Sequence, residues 1–212
     1  PRLAVIGAAD KTAALQHSLQ SGPRSNQQVI TALPAFSLPL SAADLNTLAG
    51  YDLRIVLPDT PEQLNSDNLR ALFSQRAATL VVQDPSHYGA ITIDPGRNAA
   101  HSGAVGSLAV ALSDDKAVKE DLLPALVRLL PDRAVAAARA YPGLRPAVSN
   151  YLIQSTGKAN AGYAAGTGVA EMIPVLGLPF ALADVYILTK NQIIMAYKLG
   201  LIMGEEGTLA EL

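Results

Sequence analysis

Short, almost uniformly apolar segments recur through the first half of this chain, and each is followed by a stretch with helical spacing. These segments lie at residues 2–6, 29–33, 53–57, 79–82 and 90–93. Strands that are apolar at every position are typical of parallel sheets, because helices cover both of their faces. The pattern therefore predicts an α/β fold over residues 1–113: a small doubly wound, mostly parallel sheet of about five strands.

Helix start signals follow several of the predicted strands. Asp10 is placed to cap the first helix, and Ser41 is placed to cap a short helix over residues 42–48. Thr60 is placed to cap a longer helix that continues to residue 73, with a proline at its first position. These signals predict a helix after each of the first three strands.

The sequence pattern changes after Ser113, from alternating strands and helices to successive helices with short connections. We therefore expect an all-α helical domain over residues 114–204, followed by a flexible polar tail at 205–212. The stretch just before the change, 99–112, is rich in small residues. It fits either a helix or a last edge strand of the sheet.

The helical domain ends in an apolar stretch, residues 157–204, in which a proline- and glycine-rich turn near Gly177 predicts a helical hairpin. Glu171, Asp184 and Lys190 interrupt the stretch, whereas a membrane span needs about 20 predominantly apolar residues. A hairpin buried in its own helical bundle is therefore the favoured interpretation. A hairpin inserted in or lying on a membrane, and a hairpin that forms an oligomer interface, are the alternatives.

Composition excludes several classes of function. With 16 basic and 18 acidic residues the chain lacks the basic excess that nucleic-acid binding needs. The absence of cysteine excludes thiol catalysis and Cys-based metal sites, and it is compatible with a reducing cytoplasm. His17, His87 and His101 do not have metal-ligand spacing, and no catalytic signature is complete. The sequence thus predicts no metal and no cofactor.

The first strand runs into VIGAADKT, which contains part of a phosphate-binding loop. The full motif, G-x-x-x-x-G-K-[ST], wraps backbone N–H groups around phosphates. Gly7, Lys11 and Thr12 match it, but the loop is two residues short and Asp10 stands in place of the second glycine. Asp59 ends the third strand, where an acid can support Mg²⁺ and where open α/β sheets bind ligands. Gly7, Lys11, Thr12 and Asp59 are therefore candidate nucleotide-binding residues, although helix caps and turns also explain each of them.

Two runs near the end of the chain, LRPAVSNYLIQSTGKANAGYAAG and LPFALADVYILTKNQIIMAYKLG, resemble an uncharacterised bacterial helical domain that is often appended to small GTP-binding domains. The matching positions are Ile153, Thr156, Asn160, Asp184, Asn191 and Gln192. The resemblance covers roughly the last 90 residues. It implies a GTPase-like α/β domain and a place beside membrane-associated proteins. Because the phosphate loop is truncated and no N-K-x-D motif occurs, with only Gln83–Asp84 ending the fourth strand, it implies a degenerate, non-hydrolysing relative.

These observations favour a non-enzymatic interaction or regulatory protein of GTPase-associated type. We expect it in the cytoplasm or peripheral to the inner face of the membrane. Its helical domain would dock a protein partner, a second copy or a membrane surface, and it would not bind nucleic acid. One alternative is a nucleotide-binding enzyme that uses Gly7, Lys11, Thr12 and Asp59 as an atypical phosphate site. The other is a membrane-inserted helical hairpin.

Overall fold

The structure, a computed structural model, describes residues 1–22, 31–64, 66–85, 105–171 and 177–205. For Pro61 and for residues 166–171 and 177–184 it describes the backbone only. Several sequence predictions lie outside the described residues: the start of the second strand at 29–30, the fifth strand at 90–93, His87, His101 and the tail from residue 206.

One sheet of five parallel strands forms the centre of the described part of the chain, in the order β2-β1-β3-β4-β5. The strands are β1 (Leu3–Gly7), β2 (Ala35–Phe36), β3 (Leu53–Leu57), β4 (Ala78–Gln83) and β5 (Val105–Ala109). In the register, Val5 of β1 pairs with Ala35 on one side and Ile55 on the other. The predicted α/β fold with a parallel sheet is confirmed.

Helices follow the first strands, and every described element after β5 is helical. In the first part of the chain they are α1 (Ala9–Gln20), α2 (Ala42–Leu48), α3 (Pro61–Leu64) and α4 (Asp67–Phe73). The later helices are α5 (Asp115–Ala117), a π-helical segment (Val118–Leu122), α6 (Leu123–Leu129), a 3₁₀ turn (Pro131–Arg133), α7 (Ala134–Ala140), a second 3₁₀ turn (Pro142–Leu144), α8 (Arg145–Glu171) and α9 (Gly177–Met203).

Both faces of the sheet are buried. Successive strand residues point to opposite sides, and those of β1 belong to two different clusters. Leu3 and Val5 of β1 join a hydrophobic cluster with α1 and the later helices, whereas Ala4 and Ile6 join a second cluster with α2 and α4. The first cluster runs without interruption from β1 to Ile202 near the end of α9. The division into two domains at residue 113 therefore stays a prediction, since residues on both sides of it share one core.

Three predictions about local structure are wrong. Residues 31–33, the described part of the predicted second strand, are not in a strand. In the described part of the chain pairing with β1 begins at Pro34, whose carbonyl oxygen accepts from Val5 N–H at 3.0 Å, and continues in β2. Asp10 lies in the first turn of α1 instead of capping it. The helix predicted beyond Thr60 is split, since Ser66 caps a new helix and accepts a hydrogen bond from Leu69 N–H.

Two other predictions are settled by the structure. Ser41 caps α2 through a reciprocal capping box with Asp44. The stretch 99–112 contains an edge strand, because β5 pairs in parallel with β4 along its whole length.

Helices α8 and α9 form the predicted hairpin, and Asn191 Nδ2 donates to Asn160 Oδ1 across it at 2.7 Å. Its base is buried in the core, at Leu152 of α8 and Ile202 of α9. Beyond that base most described side chains are exposed. The expectation of a hairpin buried in its own helical bundle therefore holds only for the base of the hairpin among the described side chains. Within the described residues, no helix is long and apolar enough to cross a bilayer.

Candidate functional site

The predicted nucleotide-binding residues lie at the carboxyl edge of the sheet. The chain leaves β1 towards β2 on one side and later returns to β3 on the other, so the strand order reverses between β1 and β3. Ligands of open α/β sheets bind at such a reversal. Gly7 ends β1, Asp59 follows β3, and Lys11 stands in the first turn of α1 beside them.

An ion pair joins the first turn of α1 to the end of β3. Lys11 Nζ lies 2.6 Å from Asp59 Oδ1 and also donates to the Pro58 carbonyl oxygen at 3.2 Å. The backbone N–H of Asp59 in turn donates to Gln63 Oε1 at 2.7 Å. The ammonium group is thus held against the end of β3 by one carboxylate and one carbonyl.

The turn between β1 and α1 does not form a phosphate loop. Ala8 is the single residue between strand and helix, whereas the phosphate-binding motif places four residues between its glycines. Gly7 is required by packing, since a Cβ there would lie 2.6 Å from the Leu57 carbonyl oxygen. Thr12 is buried, and its hydroxyl donates to the Ala9 carbonyl oxygen at 3.0 Å. The structure therefore brings Gly7, Lys11 and Asp59 together but turns Thr12 into the helix.

A cavity of about 280 Å³ opens beside Lys11. It is lined by Asp10, Lys11, Ala14, Leu57, Val82, Gln83, Asp84, Val110, Leu112 and Ser113. These residues come from α1, from the ends of β3 and β4, and from the chain that follows β5. The cavity sits at the carboxyl edge of the sheet, where the sequence placed a ligand site.

Gln83 is the cavity residue with the most specific chemistry. It is buried at the end of β4, and its Nε2 has no hydrogen-bond acceptor among the described residues. A buried amide donor is costly unless it finds an acceptor, so the carbonyl oxygen of a ligand or a bound water would satisfy it. A polar residue closing an apolar strand was the only signal for it in the sequence.

The charges around the cavity disfavour phosphate. Asp10 and Asp84 line it, and Asp59 lies next to it on Lys11. Carboxylates repel a bound phosphate, and the one lysine present is already paired with one of them. The arrangement suits a small neutral or cationic ligand with a carbonyl acceptor better than a nucleotide.

A second candidate surface is the face of α9 turned away from α8. Its residues, which we call the α9 seam, are Tyr186, Thr189, Ile193, Ala196, Gly200 and Met203. They alternate at spacings of three and four, which places them in one line along a helix. Tyr186, Ile193 and Met203 are 69%, 41% and 47% exposed, and Thr189 and Ala196 are also exposed. The α9 seam is thus an uncharged line of side chains open to solvent.

Comparisons with models of known protein families, with curated proteins and with solved structures found no match. Among the described residues no group of three His, Cys, Asp or Glu side chains is arranged to hold a metal ion.

Proposed function

We propose that this protein is a non-enzymatic interaction or regulatory protein of GTPase-associated type, and that it docks through the α9 seam onto a second copy of itself. The exposed seam is the observation that carries the proposal. Alternating spacings of three and four are those of helices that pack side by side. In the described part of the chain five of the six seam residues are exposed, and Gly200 is half-buried.

The seam suits an antiparallel partner of identical sequence. Its spacings, three-four-three-four-three, read the same in both directions, so a two-fold axis near Ile193 and Ala196 brings Tyr186 of one copy opposite Met203 of the other. Thr189 then faces Gly200, where Glu205 Oε2 lies 3.3 Å from the position of a Cβ. Once the Glu205 side chain turns aside, these small residues allow close approach of the helices. No charged side chain of α9 lies on the line of contact.

The size of the seam predicts a weak and reversible dimer. From Tyr186 to Met203 the seam is about 26 Å long at 1.5 Å per residue, and a helix face about 12 Å wide covers about 300 Å² per copy. Stable complexes bury about 800 Å² per partner. A dissociation constant of tens of micromolar or weaker is expected, which suits a regulated contact.

Sedimentation equilibrium over about 1 to 500 µM tests the proposal, because the average mass of a reversible dimer rises with concentration towards twice the mass of the monomer. Ile193→Glu should abolish the rise, since it places a charge in the centre of the seam. Gln192→Glu is the matched control: it adds the same charge at the neighbouring exposed position, off the line of contact. That variant should dimerise like the unmodified chain.

Three results would contradict the proposal: a monomer throughout the range, equal effects of the two variants, or flotation with anionic liposomes that Ile193→Glu abolishes. The last result would identify a membrane surface as the occupant of the seam. It would favour the membrane alternative that the apolar sequence of the hairpin also permits.

A nucleotide-binding role of Gly7, Lys11, Thr12 and Asp59 is the second candidate. The position of the cavity at the carboxyl edge of the sheet supports it, whereas the carboxylates around the cavity do not. Titration with Mg²⁺ complexes of GTP and ATP tests it. Under the interaction proposal neither saturates at micromolar concentration. Saturable binding that Lys11→Ala abolishes would instead establish the nucleotide role.

A further inference from the structure

A larger cavity, of about 600 Å³, lies at the end of α1, whereas the ion pair of Lys11 and Asp59 lies at its start. It is bounded by the end of α1, the π-helical segment, the 3₁₀ turn before α8 and the end of α9. It therefore sits where the α/β part of the chain meets the later helices, and such junctions are common places for small-molecule sites. Neither the sheet edge nor the ion pair contributes to it.

The walls of this cavity are apolar and tightly fixed. Val118, Leu123 and Ala147 are buried lining residues. Gly143 packs against α1 so closely that a Cβ there would lie 2.0 Å from the Ser18 carbonyl oxygen. The 3₁₀ turn is thus locked onto α1, and the cavity is part of the packed fold.

The charge of the lining is positive. Arg145 lines the cavity at the start of α8 and is only 3% exposed, while Lys119 and His17 lie at its rim. Asp115 is the one acid in the lining, and it lies 3.5 Å from Lys119 Nζ as an exposed pair. Burial lowers the pKa of Arg145, because a desolvated guanidinium is less stable as a cation. An anion bound beside the guanidinium would stabilise its charged form.

We propose that this cavity binds an anionic amphiphile, a molecule with one carboxylate or phosphate headgroup and an apolar chain. Its headgroup lies towards Arg145 and Lys119, and its chain lies against Val118, Leu123 and Ala147. The volume falls within the range of about 300 to 1,000 Å³ that small-molecule sites occupy. The cavity shares no lining residue with the Lys11 site and one, Met203, with the α9 seam.

Isothermal titration calorimetry with decanoate, decyl phosphate and decyltrimethylammonium, each below its micellar concentration, tests the proposal. The two anions should bind at one site, and the cation of equal chain length should bind at least about tenfold more weakly. Whichever anion binds tighter identifies the headgroup. Arg145→Met should weaken decanoate binding about tenfold or more, and Arg128→Met, an exposed position on α6 outside the cavity, should not change it.

Lys119→Glu provides a second variant that does not depend on a buried position, because Lys119 is exposed. It should also weaken decanoate binding several-fold while the melting temperature stays unchanged. Equal affinities for the anions and the cation, no saturation by decanoate or decyl phosphate, or full binding by Lys119→Glu would overturn the proposal.

Discussion

Lys11 Nζ lies 2.6 Å from Asp59 Oδ1 and ties the start of α1 to the end of β3. The lysine that a phosphate site would need is thus paired with the acid that would support Mg²⁺. The one-residue turn at Ala8 prevents the backbone from wrapping a phosphate. These two features are the physical basis for proposing a binding protein over a nucleotide hydrolase.

The Lys11–Asp59 pair should contribute little to stability. Its side chains are 30% and 41% exposed, and solvent-exposed pairs contribute about 1 kcal/mol or less. A double-mutant cycle with Lys11→Met and Asp59→Asn, measured by urea unfolding, should give a coupling free energy in that range that falls as salt is added. A coupling above about 2 kcal/mol that is insensitive to salt would show that the pair is a structural anchor instead.

The Tyr141 hydroxyl should ionise at a higher pH than that of an ordinary tyrosine. It is fully buried, its hydroxyl oxygen accepts a hydrogen bond from Leu3 N–H at 3.3 Å, and burial raises its pKa above the usual value of 10.0. The neutral form is therefore favoured in the folded chain. The resulting stabilisation is present in full below pH 10 and is lost as the pH rises towards the folded pKa. Tyrosinate absorbance should show one of the seven tyrosines ionising after the rest.

Tyr141→Phe is the control for that assignment. It should remove the late phase and leave the earlier ones in place. If the late phase persists in this variant, another tyrosine is responsible and the burial argument for Tyr141 is wrong.

Gly143 and Gly162 should respond to alanine in opposite ways. At Gly143 a Cβ would meet the Ser18 carbonyl oxygen at 2.0 Å, so Gly143→Ala should destabilise the fold by about 1–3 kcal/mol. At Gly162, inside exposed α8, no atom lies within 4 Å of such a Cβ, so Gly162→Ala should stabilise it by about 0.5–1 kcal/mol. Free energies of unfolding from urea titrations decide the matter. The same sign for both variants would contradict this packing.

Arg54 should be a structural residue in the middle of β3. It is fully buried and donates to Gln75 Oε1 at 2.5 Å and to the Ala77 carbonyl oxygen at 2.6 Å. Arg54→Met leaves these acceptors unpaired and should destabilise the fold by about 1–3 kcal/mol. Gln75→Ala, which removes only one acceptor, should cost less. Equal free energies of unfolding for Arg54→Met and the unmodified chain would contradict this prediction. They would show that the two hydrogen bonds contribute no more than hydrogen bonds to water.

Alkaline titration gives Arg54 a pH signature opposite to that of Tyr141. Burial lowers the pKa of Arg54 to about 10, compared with 12.5 for an ordinary arginine. The unfolded chain then binds the proton more tightly, so the cost of burying the cation is present in full below pH 10 and decreases as the pH rises above it. The difference in unfolding free energy between the unmodified chain and Arg54→Met should accordingly grow above pH 10 in favour of the unmodified chain.

Uniform apolarity located the central strands well, because β1, β3 and β4 are buried on both faces and nothing local competes with that signal. β2 was missed, since its two residues are paired only through contact with β1, far away in the sequence. Arg54 was passed over for the same reason. An arginine in an apolar strand is explained only by Gln75 and Ala77, which the fold brings to it.

The sequence predicted where the candidate nucleotide-binding residues lie, but not which contacts their side chains make. That the carboxyl ends of β1 and β3 lie side by side follows from the strand order. The pairing of Lys11 with Asp59, and the lack of an acceptor for Gln83 Nε2 among the described residues, depend on side-chain packing. The α9 seam was hidden because α9 is apolar around most of its circumference. Hydropathy alone does not tell which face of such a helix its own chain leaves open.

Cysteine cross-linking tests the central claim most directly, because the chain contains no cysteine of its own. Tyr186→Cys and Met203→Cys variants are oxidised separately and as a mixture. Antiparallel docking through the α9 seam predicts a disulfide-linked dimer in the mixture and little in either variant alone. Efficient cross-linking of Tyr186→Cys by itself, or no dimer in the mixture, would contradict the account.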